Sequence, residues 1–274
     1  MDWSLVLASQ GIEHSIEHTD EAGWFLTVLP QDYERSTSAI RQYRLENSRW
    51  RWCKPVFHAS IVFDWGSLVW VLLIVAFYWL GEVRTDLRNL GMVDGTAVAD
   101  GQWWRLFTAI FLHADPGHLA TNASIGLVLL GLAMGRYGTG VGMLAACLAG
   151  AAGNVASWLG HAEPHRSLGA SGMVMGALGL LAAQSLSLHR QFPDATKYIM
   201  GGITGGIMFF VLFGLAPGTD VVAHFGGFAA GLLFGAVLTQ DPNLARKPLM
   251  NLAAGLLFAA LVICTWALAL HASG

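Results

Sequence analysis

The stretch Gly169-Ala170-Ser171-Gly172 opens a long apolar run with a hydroxyl flanked by small residues. Serine is a weak nucleophile until a neighbouring base takes its proton, and histidine is the usual base. His224, 53 residues on, lies in a second apolar run, "AHFGGFAAG" at 223–231. His118 and Asn122 stand at i and i+4 near the start of a third, which places them on one helix face. Both can donate hydrogen bonds to a negative oxygen that develops when a carbonyl is attacked. These types and spacings suit acyl transfer by a Ser–His pair, provided that three separate segments bring them together. The glycines around Ser171 allow close approach of backbone and substrate and leave the Ser171 N–H available to the same oxygen.

The segments that must do this are membrane spans. Of the 274 residues 54% are hydrophobic and only 12% charged, about half the charge of a soluble domain. Mean hydropathy is +0.52. Apolar runs of the length that a ~30 Å hydrocarbon core requires recur at 65–81, 118–135, 140–160, 170–188, 199–216, 221–239 and 249–270. In lipid the backbone must satisfy its own hydrogen bonds, so these are seven helices. A cytosolic N-terminus puts eleven of the fifteen Lys and Arg inside, with a dense basic run at 41–54 before the first span. Only Arg84, Arg88, Arg105 and Arg166 then lie outside, with the 82–117 loop and the C-terminus. The second, fourth and sixth spans all run inward in this orientation. His118, Asn122, Ser171 and His224 therefore share one depth near the outer surface. Polar residues at membrane depth face a bundle interior or a wet cavity, and a transporter would hold them at the midplane instead.

These residues carry a resemblance. Gly169-Ala170-Ser171-Gly172 resembles the GxSG motif of the rhomboid intramembrane serine proteases, and "AHFGGFAAG" resembles their AHxxGxxxG, with Gly227 and Gly231 at the glycine positions. His118 to Asn122 is similar to the family's HxxxN, and Trp104-Arg105 to the WR pair of its first external loop. The order and spacing agree over about residues 65–240. The resemblance implies an all-α polytopic fold, a six-helix protease core at 65–240 with an additional transmembrane helix at 249–270. It implies a Ser171–His224 dyad, an oxyanion hole from His118, Asn122 and the Ser171 N–H, with the Gly169 N–H a further candidate, and structural support from Trp104, Arg105, Gly172, Gly227 and Gly231. Substrates would be single-span membrane proteins in the lipid bilayer, cut near the outer edge of the span without cofactor or metal. A multi-pass protein of a bacterial inner membrane is expected. The rival reading is a non-catalytic rhomboid-like protein that binds membrane clients, which retention of both Ser171 and His224 disfavours. Two positions depart from the family pattern: Met175 replaces a Tyr four residues after the nucleophile, and Met134 replaces a Glu before Gly138.

The remaining features are weaker. Residues 1–54 read as a small cytosolic ββα domain, with strands at 5–9 and 24–29 and a helix over 30–50. Gly227, Gly231 and Gly235 form a ladder expected to dock on Gly172, Gly176 and Gly179. Asp220, one turn before His224, reads as a helix cap, and His113 as a structural part of the external loop. "HAEPH" at 161–165 lacks the HExxH order and contains Pro164, so no zinc site is expected there. Cys53, Cys147 and Cys264 give no disulfide framework, and the net charge of -3 gives no reason to expect nucleic acid.

Overall fold

The computed structural model describes residues 2–19, 23–47, 62–161, 165–191, 196–209, 211, 219–241 and 247–272. The chain divides into two compact units, Met1–His58 and Ala59–Gly274.

In the first unit, α1 (Asp2–Ser9) precedes an antiparallel hairpin of β1 (His14–Thr19) and β2 (Gly23–Val28), and α2 (Tyr33–Asn47) follows a short 3-10 turn at Pro30–Asp32. The pair of strands and the following helix agree with expectation, but the first strand is misplaced in the sequence reading. Residues 5–9 belong to α1, where Leu7 is buried. A short apolar run does not distinguish strand from helix by periodicity. The true first strand, HSIEHT, is almost wholly exposed and has no apolar alternation to betray it.

The second unit is helical. Among the described residues five helices are long and apolar enough to cross a membrane: α7 (Pro116–Tyr137), α8 (Thr139–Gly160), α9 (Ser171–Gln191), α11 (Val221–Leu238) and α12 (Pro248–His271), α9 over its stretch Ser171–Leu188. Two shorter apolar helices, α3 (Ser67–Val83) and α10 (Thr196–Phe209), occupy the other two expected runs. The part of the fifth run at 212–216 lies outside the described residues. Between α3 and α7 the chain builds α4 (Asp86–Gly91), β3 (Val93–Asp94), α5 (Gly95–Ala99) and α6 (Arg105–Thr108). β3 pairs with β4 (Arg166–Ser167), just ahead of α9.

Helix ends follow local chemistry. Asp115 caps α7 by accepting the His118 N–H at 2.9 Å, with Pro116 in the first turn. One residue, Gly138, joins α7 to α8. Its φ of +94° suits glycine, and a Cβ there would collide with the Asn251 side chain. Asn251 belongs to α12, and its Oδ1 accepts the N–H groups of Gly140 and Val141, at 3.1 and 3.2 Å. The last helix thereby caps the first turn of α8. Further along α12, Trp266 stacks on Phe77 of α3, with centroids 4.8 Å apart. The core runs through Trp70, Ile74, Phe111, Leu130, Met134 and Leu180, all essentially inaccessible.

Asn251→Ala removes two acceptor contacts from orphan N–H groups. It should lower stability by about 0.5–2 kcal/mol, the usual worth of a helix N-cap, seen as a lower thermal midpoint in detergent with Ser171 still labelled by a fluorophosphonate.

Candidate active site

The site is built from an extended segment and four helices, α7, α8, α9 and α11. Residues 165–170 are held by β3–β4 pairing, by the Gly95 N–H on the His165 carbonyl at 3.1 Å, and by the Gly169 N–H on the Ala109 carbonyl at 3.0 Å. Asp94 braces the same strand pair through Arg166 at 2.8 Å. Burial opposes ionisation of Asp94, but the Ala97 N–H and Arg166 outweigh it and hold the carboxyl below its ordinary value. The extended segment delivers Ser171 as the first residue of α9. There the opening N–H groups have no acceptor within the helix and point at whatever lies before it.

His224 lies in the first turn of α11 and is buried. Its Nε2 is 2.6 Å from Ser171 Oγ. The approach is set by backbone contact between α9 and α11. A Cβ on Gly227 would collide with the Gly172 carbonyl oxygen, and one on Gly231 with that of Gly176. Gly235 faces Leu180 and Ala183 rather than Gly179, which meets Phe228 and Leu232 instead. Gly172 needs no such exemption, because its Cβ would find nothing closer than 3.5 Å. Its carbonyl, and not its missing side chain, is what Gly227 must reach. α8 closes the third side, with Gly153 against the Ala223 carbonyl.

His118, Asn122, Ser171, Met175 and His224 line one cavity of about 950 Å³. Asn122 is buried and donates from Nδ2 to the His118 carbonyl at 3.1 Å. An amide nitrogen has two hydrogens, so one is left for the cavity. Gly169 has φ +138°, and a Cβ there would stand 2.7 Å from the His118 ring. Glycine at 169 makes room for His118. Its N–H is a different matter. It is already donated to Ala109, so Gly169 is not a free oxyanion donor, contrary to the expectation from sequence.

Trp104 and Arg105 stand apart from this cavity's chemistry. Arg105 is buried and donates from Nη1 to the carbonyls of Asn89 and Met92, at 2.8 and 2.9 Å, and from Nε to Gln102 at 2.7 Å. Trp104 packs against the core and its carbonyl accepts the Thr108 N–H at 3.0 Å. His113 is buried beside His118, ring centroids 5.1 Å apart. Burial, reinforced by His118, pushes its pKa down to about 3, so it is a neutral packing group.

Sequence reasoning placed Asp220 as a helix cap. Its Oδ1 does accept the Ala223 N–H at 2.9 Å. Its Oδ2 has two partners that no local pattern announces: the Ser157 hydroxyl, and His165 Nε2 at 3.1 Å. Burial opposes ionisation of Asp220, and these hydrogen bonds overcome it and hold the carboxyl below the usual carboxylate range. Ser157 lies 63 residues away in sequence.

A family model for the Rhomboid domain matches residues 100–241. The chain belongs to the rhomboid family. It is similar to the rhomboid protease GluP of Bacillus subtilis (strain 168), 33% identical over 219 residues that cover 77% of this chain and 39% of GluP. It is 32% identical to RHOMBOID-like protein 5 of Arabidopsis thaliana, over 60% of this chain and 53% of that protein. It is 31% identical to Rhomboid-type serine protease 2 of Emericella nidulans, over 60% of this chain and 34% of that protein. The chain thus matches between 34% and 53% of these relatives' own lengths. As a rhomboid with several apolar helices, it is an integral multi-pass membrane protein. The WR, HxxxN, GxSG and AHxxGxxxG residues all fall within the matched rhomboid domain.

Two glycine substitutions in this rhomboid separate space from sequence motif. Gly169→Ala strains the backbone and strikes His118, so it should cut fluorophosphonate labelling of the serine by about tenfold or more. Gly172→Ala has room and should label at close to the parental rate.

Proposed function

We propose that the chain is an intramembrane serine endopeptidase that works through Ser171 and His224. The observation that carries this is the 2.6 Å separation of Ser171 Oγ and His224 Nε2, in a cavity shared with His118 and Asn122. Family membership and the protease names of relatives in Bacillus subtilis and Emericella nidulans support it.

In this mechanism Ser171 Oγ attacks a peptide carbonyl carbon while its proton passes to His224 Nε2. The carbonyl π-bond opens and its electrons settle on oxygen. His118, the second hydrogen of Asn122 Nδ2 and the Ser171 N–H are the donors for that oxyanion. The positive end of α9 adds to them without bringing a full charge into the membrane. Collapse expels the amine, which takes the proton from His224, and leaves an acyl ester on Ser171. Water from the cavity then attacks the ester by the same steps, with His224 again the base. Gly227 and Gly231 set the distance at which all of this occurs. Arg105 and Trp104 hold the external loop that carries Ala109, to which the strand before Ser171 is tied.

The substrate is a single-span membrane protein cut near the outer edge of its span, after a small residue. A helical carbonyl is engaged in its own hydrogen bond. The substrate must unwind there, so Gly or Pro near the cut favours cleavage. The bias of Lys and Arg between loops supports a cytosolic N-terminus and a cavity open to the outer face, in what we read as a bacterial inner membrane.

Cleavage of a transmembrane substrate in proteoliposomes tests this. Ser171→Ala should lose at least about 10³-fold in rate and all fluorophosphonate labelling. Asp220→Asn should keep most of the rate, because Asn caps a helix as well as Asp. An Asp220→Asn rate as low as that of Ser171→Ala would overturn the two-residue mechanism, and absence of both labelling and cleavage in the parent would overturn proteolysis.

A further inference from the structure

We propose that His161, His165 and Asp220 form a regulatory site for a divalent transition metal at the rim of the cavity, and that an ion held there suppresses Ser171 and His224. The three residues come from the end of α8, the segment before β4 and the turn before α11. One ligand atom of each lies within 4.8 Å of the others. Two imidazoles and a carboxylate are a ligand set for Zn²⁺, with water in the fourth position.

Two of the three ligands, His161 and Asp220, already have an outward partner that orients them, as metal ligands require. His161 Nδ1 is 2.8 Å from the Ser157 carbonyl oxygen. A carbonyl only accepts, so Nδ1 carries the hydrogen and Nε2 keeps its lone pair. The Ser157 hydroxyl donates to Asp220. His165 Nε2 meets the same carboxylate oxygen at 3.1 Å, across a proton that an ion would displace. The two rings lie stacked, centroids 4.0 Å apart. Tetrahedral zinc with bonds near 2.0 Å sets its ligands about 3.3 Å apart. Reaching that from 4.8 Å takes modest side-chain rotations at partly open positions.

The regulatory consequence rests on the proteolytic reading; the metal site itself does not. All three ligands line the same cavity as Ser171 and His224. Asp220 stands one helical turn before His224. His224 must become a cation when it takes the serine proton, and a dication held one turn away opposes that. The ion would also tie α8, the β4 segment and α11 together across the cavity's mouth.

The test uses the full chain without a histidine tag, stripped of metal by a chelator, in detergent and in liposomes. Zn²⁺ is titrated against the thermal midpoint, Co²⁺ against visible absorption, and Zn²⁺ against the cleavage rate, each variant normalised to its own metal-free rate. Wild type and Ser171→Ala should both show a raised midpoint and Co²⁺ bands. His165→Gln and His161→Gln should lose both signatures. Zn²⁺ should slow wild-type cleavage by about tenfold and leave the two histidine variants unslowed. No midpoint shift and no Co²⁺ bands in wild type, or equal signatures in both histidine variants, would overturn the site. Binding without inhibition, or equal inhibition of the variants, would overturn the regulatory role. A parent that cleaves nothing would sink the proteolytic reading and the inhibition with it, while the Co²⁺ spectrum still decides the site.

Discussion

The contact between the α9 and α11 backbones governs everything else in the second unit. Gly227 lies against the Gly172 carbonyl and Gly231 against that of Gly176, with no side chain between. Lipid tails are as apolar as leucine, so helices in a bilayer gain little by hiding apolar side chains from it. They associate by packing, and small residues permit the closest packing. α8 presses on the same turn of α11 through Gly153. The imidazole of His224 is therefore carried on a turn clamped from two sides. The 2.6 Å approach to Ser171 is a property of backbone spacing and not of a flexible side chain that happens to reach.

The other half of the pair is fixed by a different device. Ser171 begins a helix, and a helix start can wander unless the chain before it is tied down. Here the strand before it is tied at Gly95, Ala109 and β3. Arg105, four residues before Ala109, braces the same loop, and its guanidinium satisfies two carbonyls around the end of α4. A buried carbonyl without a partner is expensive where water is scarce. An arginine that looks in sequence like an interfacial anchor is thus a cross-brace of the loop between α3 and α7. Its effect reaches Ser171 through Ala109 and Gly169.

Much of this was legible in the sequence, and the limits have physical causes. The apolar runs announced themselves because a bilayer demands length and composition together. Ser171, His224, His118 and Asn122 stood out because polar groups are few inside such runs and their depth follows from span boundaries. Small residues at intervals of four showed which faces of α9 and α11 could approach, though not the register: Gly235 meets Leu180 and Ala183. The Gly169 amide looked available because nothing local accepts it, whereas Ala109 does so from 60 residues away. Asp220 revealed its cap but neither Ser157 nor His165, and Asn251 gave no hint that it caps α8 from 110 residues away. Hydrogen bonds between distant elements leave no periodic trace. In the first unit the strand HSIEHT failed for the opposite reason: an exposed hairpin has no buried face to impose alternation.

The last helix shows how such unannounced bonds also constrain the site. α12 is not merely appended to the rest of the bundle. Near its start Asn251 caps α8, and near its end Trp266 covers Gly91, whose carbonyl accepts the Thr108 hydroxyl at 2.7 Å. α12 therefore runs from the end of the bundle where α8 begins to the end that carries the loop between α3 and α7. Ser171, His118 and His224 all lie at the starts of helices that begin at that second end. The polar cavity and both anchors of the loop thus share one side of the bundle, and α12 spans the distance between that side and the other. Its Trp266 closes the loop that positions Ser171, and its Asn251 secures the opposite end of the helix that presses on His224. An accessory helix placed this way stiffens the site from both ends without contributing a single group to it.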